Sequence, residues 1–208
     1  MTIRTRIVRT AFAAVAALAV AAPSAVAGPL VSSAGSCVDR KFEQPFLPWA
    51  DVASYVLAPD GGLEAGGAGW ALSGGAAVSA GNESFYVGSA DDAASLTLPA
   101  GSSARTAAMC VGIEHPTLRL FTRTSGTSLG SALRVEVLWE DASGGVHETT
   151  IGALSDGASW APSLTMVIGV NMLTLLPGEH TAVAFRFTPI GTGTWTIDDV
   201  YVDPYAKH

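Results

Sequence analysis

Long apolar runs, charge and cysteine are all scarce in this chain, and each scarcity excludes something. The one extended apolar run, Ala11 to Ala22, is about a dozen residues, too short for a bilayer core that needs about 20. Charged residues make up only 14% of the 208, with eleven basic against eighteen acidic side chains. A net charge of −7 and a pI near 4.9 argue against nucleic acid or an anionic membrane surface as partner. With two cysteines and no C-x-x-C pair, a redox or zinc motif has no basis. His147-Glu148 lacks the H-E-x-x-H spacing that puts two imidazoles on one helical face. Internal repeats and charge blocks are also missing.

The apolar residues that remain are unevenly placed. Arg4, Arg6 and Arg9 precede the uncharged run, Pro23 breaks it, and Ala25-Val26-Ala27 follows. This is the order of a secretory signal peptide, with cleavage expected after Ala27. Gly28, not cysteine, follows the cut, so no lipid anchor is expected. Removing residues 1–27 takes three arginines and no acid, which leaves 181 residues with a net charge of −10. The expected location is extracellular, with no membrane insertion after cleavage. In that oxidising compartment Cys37 and Cys110 are expected to pair. A closed loop of about 74 residues would restrict the unfolded chain by roughly 4 kcal/mol.

The mature chain divides near residue 58. Residues 28–58 carry Pro29, Pro45 and Pro48 among apolar anchors such as Phe46, Trp49 and Tyr55, and are expected to form an irregular segment tethered at Cys37, with at most one helical turn at 50–58. Residues 59–205 show short apolar stretches separated by Gly, Ser, Asp and Pro at intervals of about ten, the pattern of an all-β sandwich or barrel. Residues 206–208 form a tail. The clearest strand is 131–140, where Leu133, Val135, Val137 and Trp139 alternate with Arg134, Glu136, Leu138 and Glu140, predicting one buried face. Glu140 to Gly145 reads as a hairpin turn, with 146–151 returning. Further strands are expected near 76–79, 85–88, 95–98, 105–113, 117–123, 163–169, 181–188 and 194–203, about ten antiparallel strands in all. Asn171 to Leu176 is expected to be a short helical crossover.

Few patterns offer catalysis. Gly126-Thr127-Ser128-Leu129-Gly130 matches G-x-S-x-G, but a nucleophile elbow needs a helix after the serine, and a strand follows here. A small extracellular hydrolase would place Ser128 near a histidine. His115, His147 and His180 read as exposed loop residues. Asp91-Asp92, Glu140-Asp141 and Asp198-Asp199 are paired acids; neighbours in a regular strand point to opposite faces, so they are poor catalytic dyads, although one of each pair could bind a cation.

Two segments resemble the jelly-roll, galactose-binding-like carbohydrate-binding modules. Asp60-Gly61-Gly62-Leu63-Glu64 with Gly66-Gly67-Ala68-Gly69-Trp70 is similar to their opening N-G-x-F-E…G…G-W, and Trp195 to Val202 is similar to their closing x-I-D-D-V strand. The resemblance implies a jelly-roll β-sandwich and a non-catalytic secreted module for extracellular or cell-surface glycan. It also implies a structural Ca²⁺ where the first and last strands meet, held by Glu64 and Asp198. Asp60 and Leu63 depart from the family's Asn and Phe. Trp70 and Trp195 fall at positions that are core in that family, which leaves Trp49, Trp160 and Tyr86 as residues able to offer a ring to a sugar. A second resemblance, to secreted proteins of GC-rich bacteria, rests on Cys37, Phe46, Trp49, Ser54 to Pro59, Trp70 and Ile197 to Tyr205, and implies no activity. The alternative role is a secreted structural or protein-interaction sandwich, with an extracellular protein as its partner.

Overall fold

A computed structural model describes residues 28–34, 41–141, 143–155, 157–170 and 180–203. The signal segment, Cys37, the expected crossover at 171–176 and the tail lie outside them. The chain runs α1 (Pro29–Ser33), β1 (Phe42–Glu43), a 3₁₀ turn (Leu47–Trp49), β2 (Tyr55–Leu57), β3 (Ala71–Ser73), β4 (Ala77–Ala80), β5 (Ala94–Pro99), β6 (Ser103–Arg105) and β7 (Met109–Val111). It continues through β8 (Thr117–Ser125), β9 (Ala132–Glu140), β10 (Val146–Leu154), β11 (Ala161–Pro162), β12 (Met166–Val167), β13 (Thr181–Ile190) and β14 (Thr194–Asp203). Every pairing is antiparallel, and the strands form two sheets, a jelly-roll sandwich. Sheet A runs β1-β2-β14-β5-β4, with β8 also pairing β14, β11 and β12; sheet B runs β10-β9-β13-β6-β3, with β7 on β13.

Alternation explains why the sheets stack. Leu118 and Leu120 of β8, Leu96 and Leu98 of β5 and Trp195 and Ile197 of β14 point inward from sheet A; they meet Leu133, Val135, Val137, Val183, Phe185 and Phe187 of sheet B. Trp70 joins this core, its indole donating to Pro59 O at 3.0 Å. Trp139 is half-buried against the core, with its ring on His147.

Both sheets also carry apolar cover on their outer faces, which period-two reasoning did not anticipate. On sheet B, Leu30 of α1 packs on Leu138, Ala108, Ala182 and Ala184. The far side of β9 is therefore buried at Leu138 and Glu140, and the expectation of a single buried face is corrected. On sheet A, Phe46 and Tyr55 pack on Phe121 and Tyr201. Residues ahead of 59 are thus part of the sheet system: β2 pairs β14 through Leu57↔Tyr201 and Val56↔Val202. The expected turn at 50–58 is replaced by the 3₁₀ turn at Leu47–Trp49 followed by β2.

Other boundaries shift for local reasons. No strand forms at 85–88, because the Glu83 carboxylate accepts from Phe85 N and from Val87 N (2.7 Å) and folds the segment into a turn. The stretch 105–113 is split into β6 and β7, and 163–169 is reduced to β12. The hairpin turn after β9 forms as expected: Asp141 N donates to Gly145 O at 2.9 Å, and Asp141 Oδ1 accepts from Ser143 N and Gly145 N.

Candidate functional site

The outer face of sheet A is built by register. Ala77 lies opposite Thr97, Thr97 opposite Thr196, and Thr196 opposite Arg123, so these four form one row across β4, β5, β14 and β8. Trp160, just before β11, ends the row with its ring 4.8 Å from the Arg123 guanidinium carbon. Four steps between strands span about 19 Å. Ser79, Thr194 and Ser125 flank the row, and Ser79 Oγ lies 2.6 Å from Thr97 Oγ1. Arg123 is exposed, while Thr97 and Trp160 are half-buried.

Two residues along β8 from Arg123, the floor becomes aromatic. Trp49 meets Phe121 edge-to-face at 5.4 Å and Phe85 at 4.7 Å; Phe85 is 44% exposed and Tyr86 51%. Trp49 and Trp160 both pack on the Phe46–Tyr55–Phe121–Tyr201 cluster. The fold therefore gathers Trp49 and Trp160 on one face, and the Glu83 turn brings Phe85 and its neighbour Tyr86 to its edge. The segment that carries Trp49 is fastened by Arg119, whose Nε and Nη2 donate to Ser163 O at 3.0 and 2.8 Å. Its Nη1 pairs with Asp51, to which Tyr55 also donates (2.7 Å). The guanidinium lies 4.0 Å from the Phe46 ring centre. Desolvation and the Asp51 charge push the Tyr55 phenol well above its ordinary value.

An acidic pocket of about 380 Å³ opens nearby, lined by Glu43, Asp60, Glu64, Asp92, Asp199 and Tyr201 together with Lys41. It lies where the opening and closing segments meet: Val200 N donates to Gly61 O at 3.1 Å, and Ala58 N to Val200 O at 2.8 Å. A bulge in β14 between Asp198 and Tyr201, with Asp199 at φ +48°, breaks the alternation that would have separated the two acids. Both are buried, and each is close enough to Glu83 to feel its charge. Asp198 accepts from Glu83 N and Asp199 N, both at 2.9 Å. Burial, then the Asp199 charge, pushes Asp198 up to about 8. Burial, then Glu83, Asp92, Glu43 and Glu64, pushes Asp199 up to about 7.

The acids differ in what remains free. Asp60 turns at φ +48° and spends its oxygens on Ala65 N (2.9 Å) and Ala68 N (2.6 Å), a turn-forming role at the position where the resembled family has Asn. Glu64 Oε1 accepts from Ala93 N and Ala94 N, at 2.9 and 2.8 Å. Asp199 Oδ2 is buried with no hydrogen-bond partner. Asp199, not Asp198, lines the pocket with Glu64. Among the described residues, no group of three or more His, Cys, Asp or Glu side chains is set to hold a metal ion.

The remaining expected residues fall elsewhere. Ser128 Oγ accepts from Thr192 Oγ1 at 2.9 Å, in an exposed loop. His115 is buried, not exposed as expected, and its Nδ1 accepts from Gly112 N at 2.9 Å. His180 Nε2 lies 3.0 Å from Glu114, and His147 Nε2 lies 2.6 Å from Asp141. Cys110 is buried on β7 and is not a free thiol. Arg123, Thr97, Thr196, Ser79 and Phe85 were not picked out in the sequence; the only cue was the run of polar residues at alternate positions of β5, β8 and β14.

No family model matches the chain, and no curated protein matches its sequence. Solved structures of similar architecture include carbohydrate-binding modules. The CBM22-1–GH10 modules of Clostridium thermocellum endo-1,4-β-D-xylanase 10B, complexed with xylohexaose, align at 14% identity and a TM-score of 0.47. That alignment covers 68% of this chain and 27% of the xylanase chain, so this chain spans about a quarter of that protein. The CBM22-1 xylan-binding domain of Paenibacillus barcinonensis Xyn10C aligns at 13% and 0.44, over 67% of this chain and 88% of that one. TmCBM61, solved with β-1,4-galactotriose, aligns at 16% and 0.41, over 71% and 97%.

Proposed function

We propose that this chain is a secreted, non-catalytic module that binds extracellular or cell-surface glycan across the outer face of sheet A. The row Thr97–Thr196–Arg123–Trp160 beside Trp49 and Phe85 carries the reading. Flat rings match the apolar face of a sugar, while the hydroxyls and the guanidinium supply the directional polar contacts that fix its orientation. The row extends across several strands, which suits a chain of sugars better than one ring. Affinity electrophoresis against a panel of neutral and acidic polysaccharides tests it. Retention by at least one glycan, lost in Trp160→Ala and weakened in Trp49→Ala, is expected; no retention on any glycan overturns the reading.

Three further features belong to the same proposal. The leader is removed after Ala27 during export, and Cys37 pairs with Cys110. The acidic pocket takes a structural Ca²⁺. Carboxylate oxygens are the donors this hard cation prefers, and the unpartnered Asp199 Oδ2 is the observation that favours it. Glu64 and Asp199 would hold the ion, with Asp92 beside them; Asp198 would brace the bulge from behind. The bound charge would offset the mutual repulsion of these acids and so lock the opening segment to β14.

A further inference from the structure

We propose that export processing leaves the α-ammonium of Gly28 paired with the Glu140 carboxylate, so that cleavage adds an ion pair to the folded module. The proposal rests on the expected cut between Ala27 and Gly28 and is independent of glycan binding. Hydrolysis of that bond consumes one water and leaves a carboxylate on Ala27; the freed Gly28 amine takes up a proton. Before the cut, the same atom is a neutral amide nitrogen.

Gly28 is packed, not dangling. A Cβ built on it would lie 2.6 Å from Glu140 Oε1 and 2.6 Å from the backbone oxygen of Gly144, so a larger residue would have to displace both the Glu140 side chain and the turn at Gly144. Standard backbone dimensions then put the Gly28 nitrogen within about 5 Å of Glu140 Oε1. Ser32 N donates to Gly28 O at 3.0 Å, and Leu30 anchors the segment in the apolar cover of sheet B. The chain end is thus held in place by contacts that do not depend on its charge.

Glu140 has the matching need. The residue is 8% exposed, at the end of β9. Its oxygens accept from Leu30 N and from Val31 N (2.9 Å), yet among the described residues no lysine, arginine or histidine pairs with it. A buried carboxylate without a cation is costly, and a partner of opposite charge within a few ångströms offsets much of that cost. Cleavage after Ala27 supplies such a partner where the sequence has a glycine and the packing disfavours a larger residue.

The test uses the full chain expressed with its leader in an exporting bacterial host and purified after processing. Intact mass and N-terminal sequencing identify the first residue, which is expected to be Gly28. The α-amine pKa, read from the pH dependence of its acylation by limiting acetic anhydride, is expected above the unperturbed range of about 7.7–8.0. At pH 7.5 acylation should be at least threefold slower than in Glu140→Gln. An α-amine that titrates in the unperturbed range in the processed wild-type chain overturns the pairing, whether or not Glu140→Gln folds. Processing at another bond overturns the premise, and the mass distinguishes that failure from the first.

Discussion

Arg119 shows how one buried charge holds the outer face of sheet A together. Its guanidinium satisfies Ser163 O, pairs with Asp51 and covers Phe46, which ties the segment bearing Trp49 to β8. Arg119→Met keeps much of the bulk but leaves Asp51 without its cation and Ser163 O without the guanidinium donors, and is expected to cost about 3 kcal/mol by urea denaturation. Arg123, two residues on, is exposed and stacks on Trp160 without any such network. Arg123→Ala should therefore leave the urea midpoint nearly unchanged while weakening glycan retention about tenfold, the scale of one hydrogen bond to a charged group. Equal losses of stability and retention would show Arg123 to be a packing residue. These two arginines also mark what the sequence could say at this scale. Trp49 and Trp160 stood out because loop tryptophans are few. Arg123, Thr97 and Thr196 become neighbours only through cross-strand register, which composition does not carry.

At the scale of elements, period-two patterning exposed the inner faces well. Leu133, Val135 and Val137 of β9 read as core and are core. It failed where a second layer covers a sheet: Leu138 and Glu140 looked solvent-facing until α1 was placed over them. It failed again at Asp198-Asp199, where the bulge puts two acids in reach of one another. The segment before residue 59 looked irregular because its prolines hide two short strands and a clasp. Its anchor is Phe46, fully buried and 5.2 Å from the stacked ring of Phe121. Phe46→Ala is expected to lose about 3–5 kcal/mol of stability. The loss should be local as well as global: hydrogen exchange at β1, β2 and the Leu47–Trp49 turn should accelerate more than at β9 and β13. Uniform acceleration over both sheets would mean that the segment is not a separable clasp.

For the molecule as a whole, the resemblance to jelly-roll modules and the spacing of strands predicted the two-sheet architecture, and the opening and closing motifs meet at Val200 and Gly61. That meeting point governs how stability depends on pH. Asp198 and Asp199 bind protons more tightly when folded than a carboxyl with the ordinary value of 3.8. Between about pH 4 and pH 8 the folded chain holds more protons than the unfolded one, so stability falls as pH rises through that window. The metal-free protein should melt at a lower temperature at pH 8 than at pH 5. Calcium bound in the pocket would reverse the sign, because the ion would replace the protons and bind most tightly when the carboxylates are ionised. Adding Ca²⁺ should raise the melting temperature strongly at pH 8 and little at pH 5. Glu64→Gln should remove most of that rise while leaving the metal-free pH slope, which belongs to the buried pair, largely in place. A melt at pH 8 indifferent to both Ca²⁺ and chelator would reject the ion, and the falling slope would then report two buried acids held by packing and the backbone donors to Asp198.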